Sequence, residues 1–299
     1  MSPHLKGILY AVIGVLVLSP DSLLIRLVET DTWTVVFWRG FLMSAGLSLW
    51  LSLRYRGKTL RVFRAIGRTG ILATLLFATG TILFVLAIVT TTVANTLIII
   101  GIAPLVAALL SRFVLGEQIR IQTWMAIPVA ISGVLIAVSD NIGGGRLTGD
   151  LYALCAACCV GAHMTCLRHG RHVDMTPSAV FGSALSAIVV LPLASPLGVT
   201  QQDAVYLVIL GIGVLALSFA FIVAAPRYLQ APEVNLLMLI EMVVGPYWVW
   251  LVLEERPGTR AVLGGCIVLI TLAVHSVIGL RKERGEAALS ENAVPDGAT

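Results

Sequence analysis

The chain has 299 residues, of which 58% are hydrophobic and 12% charged, with a mean hydropathy of +0.96 and a formal net charge of +4. A soluble domain carries about twice that charged fraction, which excludes an ordinary water-soluble enzyme or nucleic-acid-binding module. Apolar runs of about 18 residues or more recur, each long enough to cross a hydrocarbon core of about 30 Å as a helix. Because they are continuously apolar and not alternating, a β-barrel is excluded too.

The first run, Ile8 to about Val28, follows Lys6 as a signal peptide would. It has no small-residue cleavage pattern and contains Asp21 and Arg26, so it reads as an uncleaved first span. Further spans are expected at Val35–Leu53, Thr69–Val89, Val93–Leu115, Ile121–Val138, Gly149–Leu167, Pro177–Ser195, Ala204–Ala225, Leu229–Leu253 and Arg260–Gly279. The total is ten. Asp140-Asn141-Ile142-Gly143-Gly144-Gly145 reads as a flexible linker, and the polar stretch after Arg281 as a disordered tail. Between spans two and three, Arg54, Arg56, Lys58, Arg61, Arg64 and Arg68 alternate with Leu60, Phe63 and Ile66. That pattern suits either a short helix on an anionic membrane surface or a solvated basic loop. The excess of cations there, with Arg120, Arg168, Arg171, Arg227, Arg281, Lys282 and Arg284 on the same side, makes both termini cytoplasmic.

The stretch Ala94 to Glu117 has a counterpart 138 residues later, at Pro232 to Glu255. In that register Glu117 meets Glu255, Pro104 meets Met242 and Ala103 meets Glu241. A second register, offset by 142, aligns Gly7-Ile8-Leu9-Tyr10-Ala11 with Gly149-Asp150-Leu151-Tyr152-Ala153, Arg26 with Arg168 and Asp21 with His163. Two compatible offsets imply one repeat of half the chain. A five-span unit enters the membrane the opposite way the second time, so the halves are inverted copies. The expected fold is therefore an all-α integral membrane protein with ten transmembrane helices in two inverted five-helix repeats. Residues 1–139 form the first, 140–148 the linker, 149–280 the second, and 281–299 the cytoplasmic tail.

Several chemical motifs fail. Gly57-Lys58-Thr59 resembles the end of a phosphate-binding loop, but Ser52 stands where its first glycine must be. Cys155, Cys159, His163 and Cys166 share a helix face, where small residues for close helix packing compete with a metal site. All five cysteines lie in apolar spans, so no disulfide framework is expected. No cofactor and no catalytic cluster are legible.

What carries function is the polar set inside the membrane, where such groups are costly and face a cavity, one another or backbone. Pro20 should bend the first span, with Ser19 capping the new half-helix and Asp21 favoured by its dipole. Asp21 pairs with Arg26 or Arg39 to shape one end of the bundle, or it meets substrate. His163, in the opposite half of the membrane, is either Asp21's pseudo-symmetric counterpart or a neutral histidine bonded to a helix carbonyl. Glu241 sits at the midplane among Met238, Leu239, Ile240, Met242 and Val243, where its repeat partner Ala103 shows that packing does not require a charge. Phe77, Phe84, Phe219, Phe221, Tyr247 and Trp248 are expected near the cavity or in the core.

The ten spans, the Pro104…Glu117 pattern, its echo Glu241…Glu255 and the Gly-x-Leu-Tyr-Ala starts resemble the drug/metabolite transporter superfamily, in its EamA-type ten-helix exporter branch. The resemblance covers residues 5 to about 280, and departs from the family at Glu241-Met242, where Glu-Pro and a kink are usual. It implies a central cavity lined by spans one to four and six to nine. It also implies export of amino acids or related small metabolites across a bacterial inner membrane by alternating access, and the aromatic residues expected near the cavity favour aromatic or bulky amino acids among them. Exporters of drugs or nucleobases, and more distantly a lipid-handling membrane enzyme, are the alternatives. The expected site residues are Asp21, Arg39, Phe84, His163, Glu241 and Trp248, with Arg26 in a structural ion pair. The expected partners are a small-molecule substrate and the lipid bilayer, with a second copy of the chain as a further candidate, and no nucleic acid.

Overall fold

The computed structural model describes residues 3–55, 65–116, 118, 121–139, 146–170, 172–224, 228–229 and 231–292. The described residues are all helix, turn and irregular chain. The elements are α1 (Pro3–Leu18), α2 (Asp21–Leu27), α3 (Thr32–Tyr55), α4 (Gly67–Thr90), α5 (Val93–Ile100), α6 (Ala103–Leu115) and α7 (Ile121–Val138). There follow α8 (Leu147–His169), α9 (Thr176–Val190), α10 (Gln201–Val208), a π-helical segment (Ile209–Ala216), α11 (Leu217–Ala224), α12 (Ala231–Leu253) and α13 (Thr259–Asn292). Among the described residues nine helical stretches are long and apolar enough to cross a membrane, and α9 is a shorter apolar helix of 15 residues. The expected linker at 140–145, most of the basic loop (56–64), Glu117 and the last residues of the tail (293–299) lie outside the described residues.

Each interruption of a span has a chemical cause. Pro20 has no N–H to give the carbonyl of Leu16, and the first span breaks between α1 and α2. Ser19 does not cap α2. Its hydroxyl turns back and donates to that same Leu16 carbonyl at 2.8 Å, replacing the bond that proline removes. Pro20 itself stands at the N-cap, with Asp21 as the first helical residue. The fourth span divides in the same way, into α5 and α6. Gly101 and Ile102 form the turn, and Pro104 lies in the first turn of α6, where its missing donor costs nothing. Gly116 ends α6 with φ 68°, a left-handed conformation that glycine takes without a Cβ penalty. In α12 no break follows Glu241-Met242, and Pro246 lies inside a continuous helix.

Two ends differ from the sequence expectation. The seventh span stops at Val190 and not at Ser195, because Pro192, Pro196 and Gly198 cluster just beyond it. Conversely, α13 runs on to Asn292, past the start of the tail expected to be disordered. Residues such as Glu283, Glu286, Ala287 and Leu289 are good helix formers and sustain it.

Helix α4 packs along α8, α9 lies against α3 and α4, and α13 against α7. Small residues set these distances. A Cβ on Gly264 would meet the Gly133 carbonyl at 2.2 Å, and one on Gly40 would meet the Ser183 carbonyl at 2.5 Å. On its other side α3 seats Leu42 against Gly211 and Gly46 against Ala216 of the π segment. The main core draws Ile25, Met43, Leu47 and Ile88 from the first half and Leu210 and Leu215 from the second.

Candidate functional site

Arg39 of α3 and Asp21 of α2 form a buried two-pronged ion pair. Nε donates to Oδ1 at 3.2 Å and Nη2 to Oδ2 at 2.7 Å. Asp21 is 3% exposed and Arg39 7%. The helix break at Pro20 makes the pair, since it starts α2 at Asp21 and aims that carboxylate at α3. The guanidinium also lies over the ring of Phe84 on α4, 5.2 Å from its centroid, so α4 supports the cation from below. Asp21, Arg39 and Phe84 are thus one unit.

Glu241 of α12 joins them. It is half-buried and lies within electrostatic reach of both Asp21 and Arg39, yet makes no hydrogen bond or ion pair with another described residue. The three side chains carry two negative charges and one positive charge when ionised, leaving one unbalanced carboxylate in a low-dielectric interior. Such a group calls for a proton or a cation. Trp248, 36% exposed and two turns further along α12, donates its indole N–H to Ser19 Oγ at 3.0 Å. Trp248 therefore fixes α12 to the break of the first span, one residue from Pro20 and two from Asp21.

Arg26 is not Asp21's partner. It donates to the Thr91 carbonyl at 2.7 Å and pairs with Glu255 at 3.5 Å. Glu255 also accepts the Val93 N–H at 3.2 Å, placing a carboxylate at the positive end of α5. Thr91 in turn donates to Asp150 Oδ1 at 2.7 Å. At this same end, away from the N terminus, Asp203 accepts the Glu29 N–H and Thr34 Oγ1 accepts the Ser195 N–H. All of these contacts except Arg26–Thr91 join residues before 140 to residues after 146. At the end bearing the N terminus, His4 meets Glu233 at 3.0 Å, and Tyr55 donates its hydroxyl to Asp174. Asp174, in the turn before α9, also accepts the Thr176 N–H at 2.9 Å. Burial alone would raise the Asp174 carboxyl, but the bonds from Thr176 and Tyr55 and the charge of Arg54 outweigh it and hold it below its usual 3.8.

His163 belongs to a different place. Its Nδ1–H donates to the Ala73 carbonyl at 3.0 Å, the bond to a helix carbonyl that the sequence reading raised as one alternative. Phe77 stands edge-on to the imidazole at 5.3 Å and edge-on to Phe219 at 5.9 Å. The other aromatic candidates separate from this group: Phe221 lies on Tyr10, while Tyr247 is exposed beside Trp248 and Trp250.

Sequence reasoning missed Glu255 as Arg26's partner, the Asp150–Thr91 bond and the Tyr55–Asp174 latch. Glu255 and Asp150 were visible only as repeat positions. Their charge at a span end was the signal available for a partner, but it does not say which one. Asn95 was also missed. It is buried, and its Oδ1 has no partner among the described residues.

A solved crystal structure of a protein 16% identical to this chain matches 92% of it and 98% of its own chain with a TM-score of 0.65, which shows a shared fold. No curated protein matches the sequence. The model of the EamA-like transporter family matches twice, over residues 5–139 and over residues 147–277, one stretch in each half of the chain. That double match covers most of the sequence, and the chain belongs to the EamA-like transporter family.

Proposed function

We propose that this EamA-family transporter exports amino acids or similar small metabolites across a bacterial inner membrane by rocking two inverted five-helix halves about the Asp21–Arg39–Glu241 cluster. One observation carries the reading: among the described residues Glu241 has no hydrogen-bond or ion-pair partner, beside an ion pair that is already closed. The pair orients the site and Glu241 does the exchanging. Its carboxylate takes either a proton or the ammonium of the substrate, and each neutralises the cluster's one unbalanced charge. Alternating access then requires that the ties between the halves break at one end at a time. Arg26–Glu255 and Thr91–Asp150 supply such ties at one end, and Tyr55–Asp174 and His4–Glu233 at the other.

The two roles of Glu241 separate by pH. A coupling carboxylate makes transport depend on an imposed proton gradient. Glu241→Gln then loses that dependence while downhill exchange continues. A substrate-contact carboxylate gives a Glu241→Gln variant that fails to bind at every pH. Transport by Glu241→Gln equal to the parent, with and without a gradient, would leave only a helix-holding role and refute both.

A further inference from the structure

We infer that His163 is a specificity-determining residue, a neutral hydrogen-bond acceptor that reads an N–H or O–H on a planar aromatic substrate side chain. This rests on the amino-acid reading above and deepens it. The bond to the Ala73 carbonyl fixes the tautomer, since a carbonyl only accepts and Nδ1 must therefore carry the proton. In the neutral ring Nε2 is then a bare acceptor. It makes no hydrogen bond with a described residue, and the side chain is only half-buried. Metal binding does not claim it: among the described residues no group of three or more His, Cys, Asp or Glu is placed to hold a metal ion.

The surroundings select what binds there. Phe77 and Phe219 present ring edges and faces from α4 and α11, so the site is formed by both halves and suits a flat apolar group carrying one polar hydrogen. Position relative to the charged cluster narrows it further. Phe77 and Phe84 are seven residues apart on α4, which puts them on nearly the same helix face and about 10 Å apart along it. Phe84 supports Arg39 and Phe77 borders His163. The two rings thus mark a path along one face of α4 from the charged cluster to the imidazole. The ammonium meets Glu241, and the ring donor meets Nε2.

The test uses the full-length protein in proteoliposomes and two substrate pairs that differ by one donor: tyrosine against phenylalanine, and tryptophan against 1-methyltryptophan. The parent should favour the donor-bearing member of each pair by about three- to tenfold, the range of one net hydrogen bond. His163→Leu should bring both ratios to about one. His163→Gln, whose amide oxygen restores an acceptor, should keep a preference, and it serves where the leucine variant does not fold. Equal affinities within both pairs in the parent, or preferences unchanged in His163→Leu, overturn the inference and leave the amino-acid reading standing. Failure of the parent to carry any of the four while it carries another amino acid overturns the inference alone, and failure to carry any amino acid overturns both.

Discussion

Opposite charges set in apolar sequence were enough to expect Asp21 to pair with Arg26 or Arg39, because none of them could be stranded in the membrane interior. The choice between Arg39 and Arg26 was not legible. It depends on the angle that Pro20 imposes between α1 and α2, and on Glu255, 229 residues away, arriving to take Arg26. Breaking the buried pair from one side leaves the other charge unpaired, typically at a cost of about 3–5 kcal/mol. Asp21→Asn and Arg39→Gln should each melt well below the parent in detergent, and the double variant should recover part of the loss. Parental melting of both single variants together with lost transport would mean that Asp21 meets substrate and not Arg39. Asp174 gives a pH-dependent counterpart outside the membrane spans. Its folded pKa lies below the ordinary 3.8, so its bonds stabilise the fold above that value and are lost as the pH falls through the lower, folded one. Asp174→Asn should therefore lower the melting temperature near pH 7, and the difference should shrink as the pH is taken progressively below 3.8. A difference that persists in acid would assign the loss to packing and not to charge.

Among the elements, helix existence was plain from apolar length alone, whereas breaks and ends were decided by local chemistry. The proline at position 20 announced a bend, but the fate of Ser19 did not follow from capping preference. The carbonyl of Leu16, orphaned by that proline, lies within reach and outcompetes the N-terminal N–H groups of α2. The π segment had no sequence signal beyond Gly211 and Gly213, and its register matters only because α3 packs into it. Helix α3 is held on both sides at small residues, and Gly40 adjoins Arg39. Gly40→Leu must push α3 from α9, since even a Cβ there would lie 2.6 Å from Ser186 Oγ. Overpacking of this kind costs about 1–3 kcal/mol and should displace Arg39 as well. The variant should lose thermal stability and transport together. Unchanged values of both would show that α3 and α9 do not approach so closely.

For the molecule as a whole, we propose a five-span unit used twice in inverted orientation, with the cation-rich loops and both termini in the cytoplasm. Reporter fusions at Arg56 and Gly285 should give the same cytoplasmic response, opposite to one at Gly144. A periplasmic response at Gly285 would mean an odd number of crossings and would end the two-unit account. The family and the helical architecture were legible because hydropathy and the double Gly-x-Leu-Tyr-Ala start are local properties of sequence. The site was legible only in part, since Glu241's isolation is a fact about which partners α2, α3 and α12 bring near it. The most direct test of the central claim is uptake of a panel of radiolabelled amino acids into proteoliposomes containing the parent or Glu241→Gln. The account predicts saturable transport of at least one amino acid by the parent, with its proton dependence or its binding lost in the variant. No transport of any panel member, or a variant indistinguishable from the parent at every pH and gradient, would contradict it.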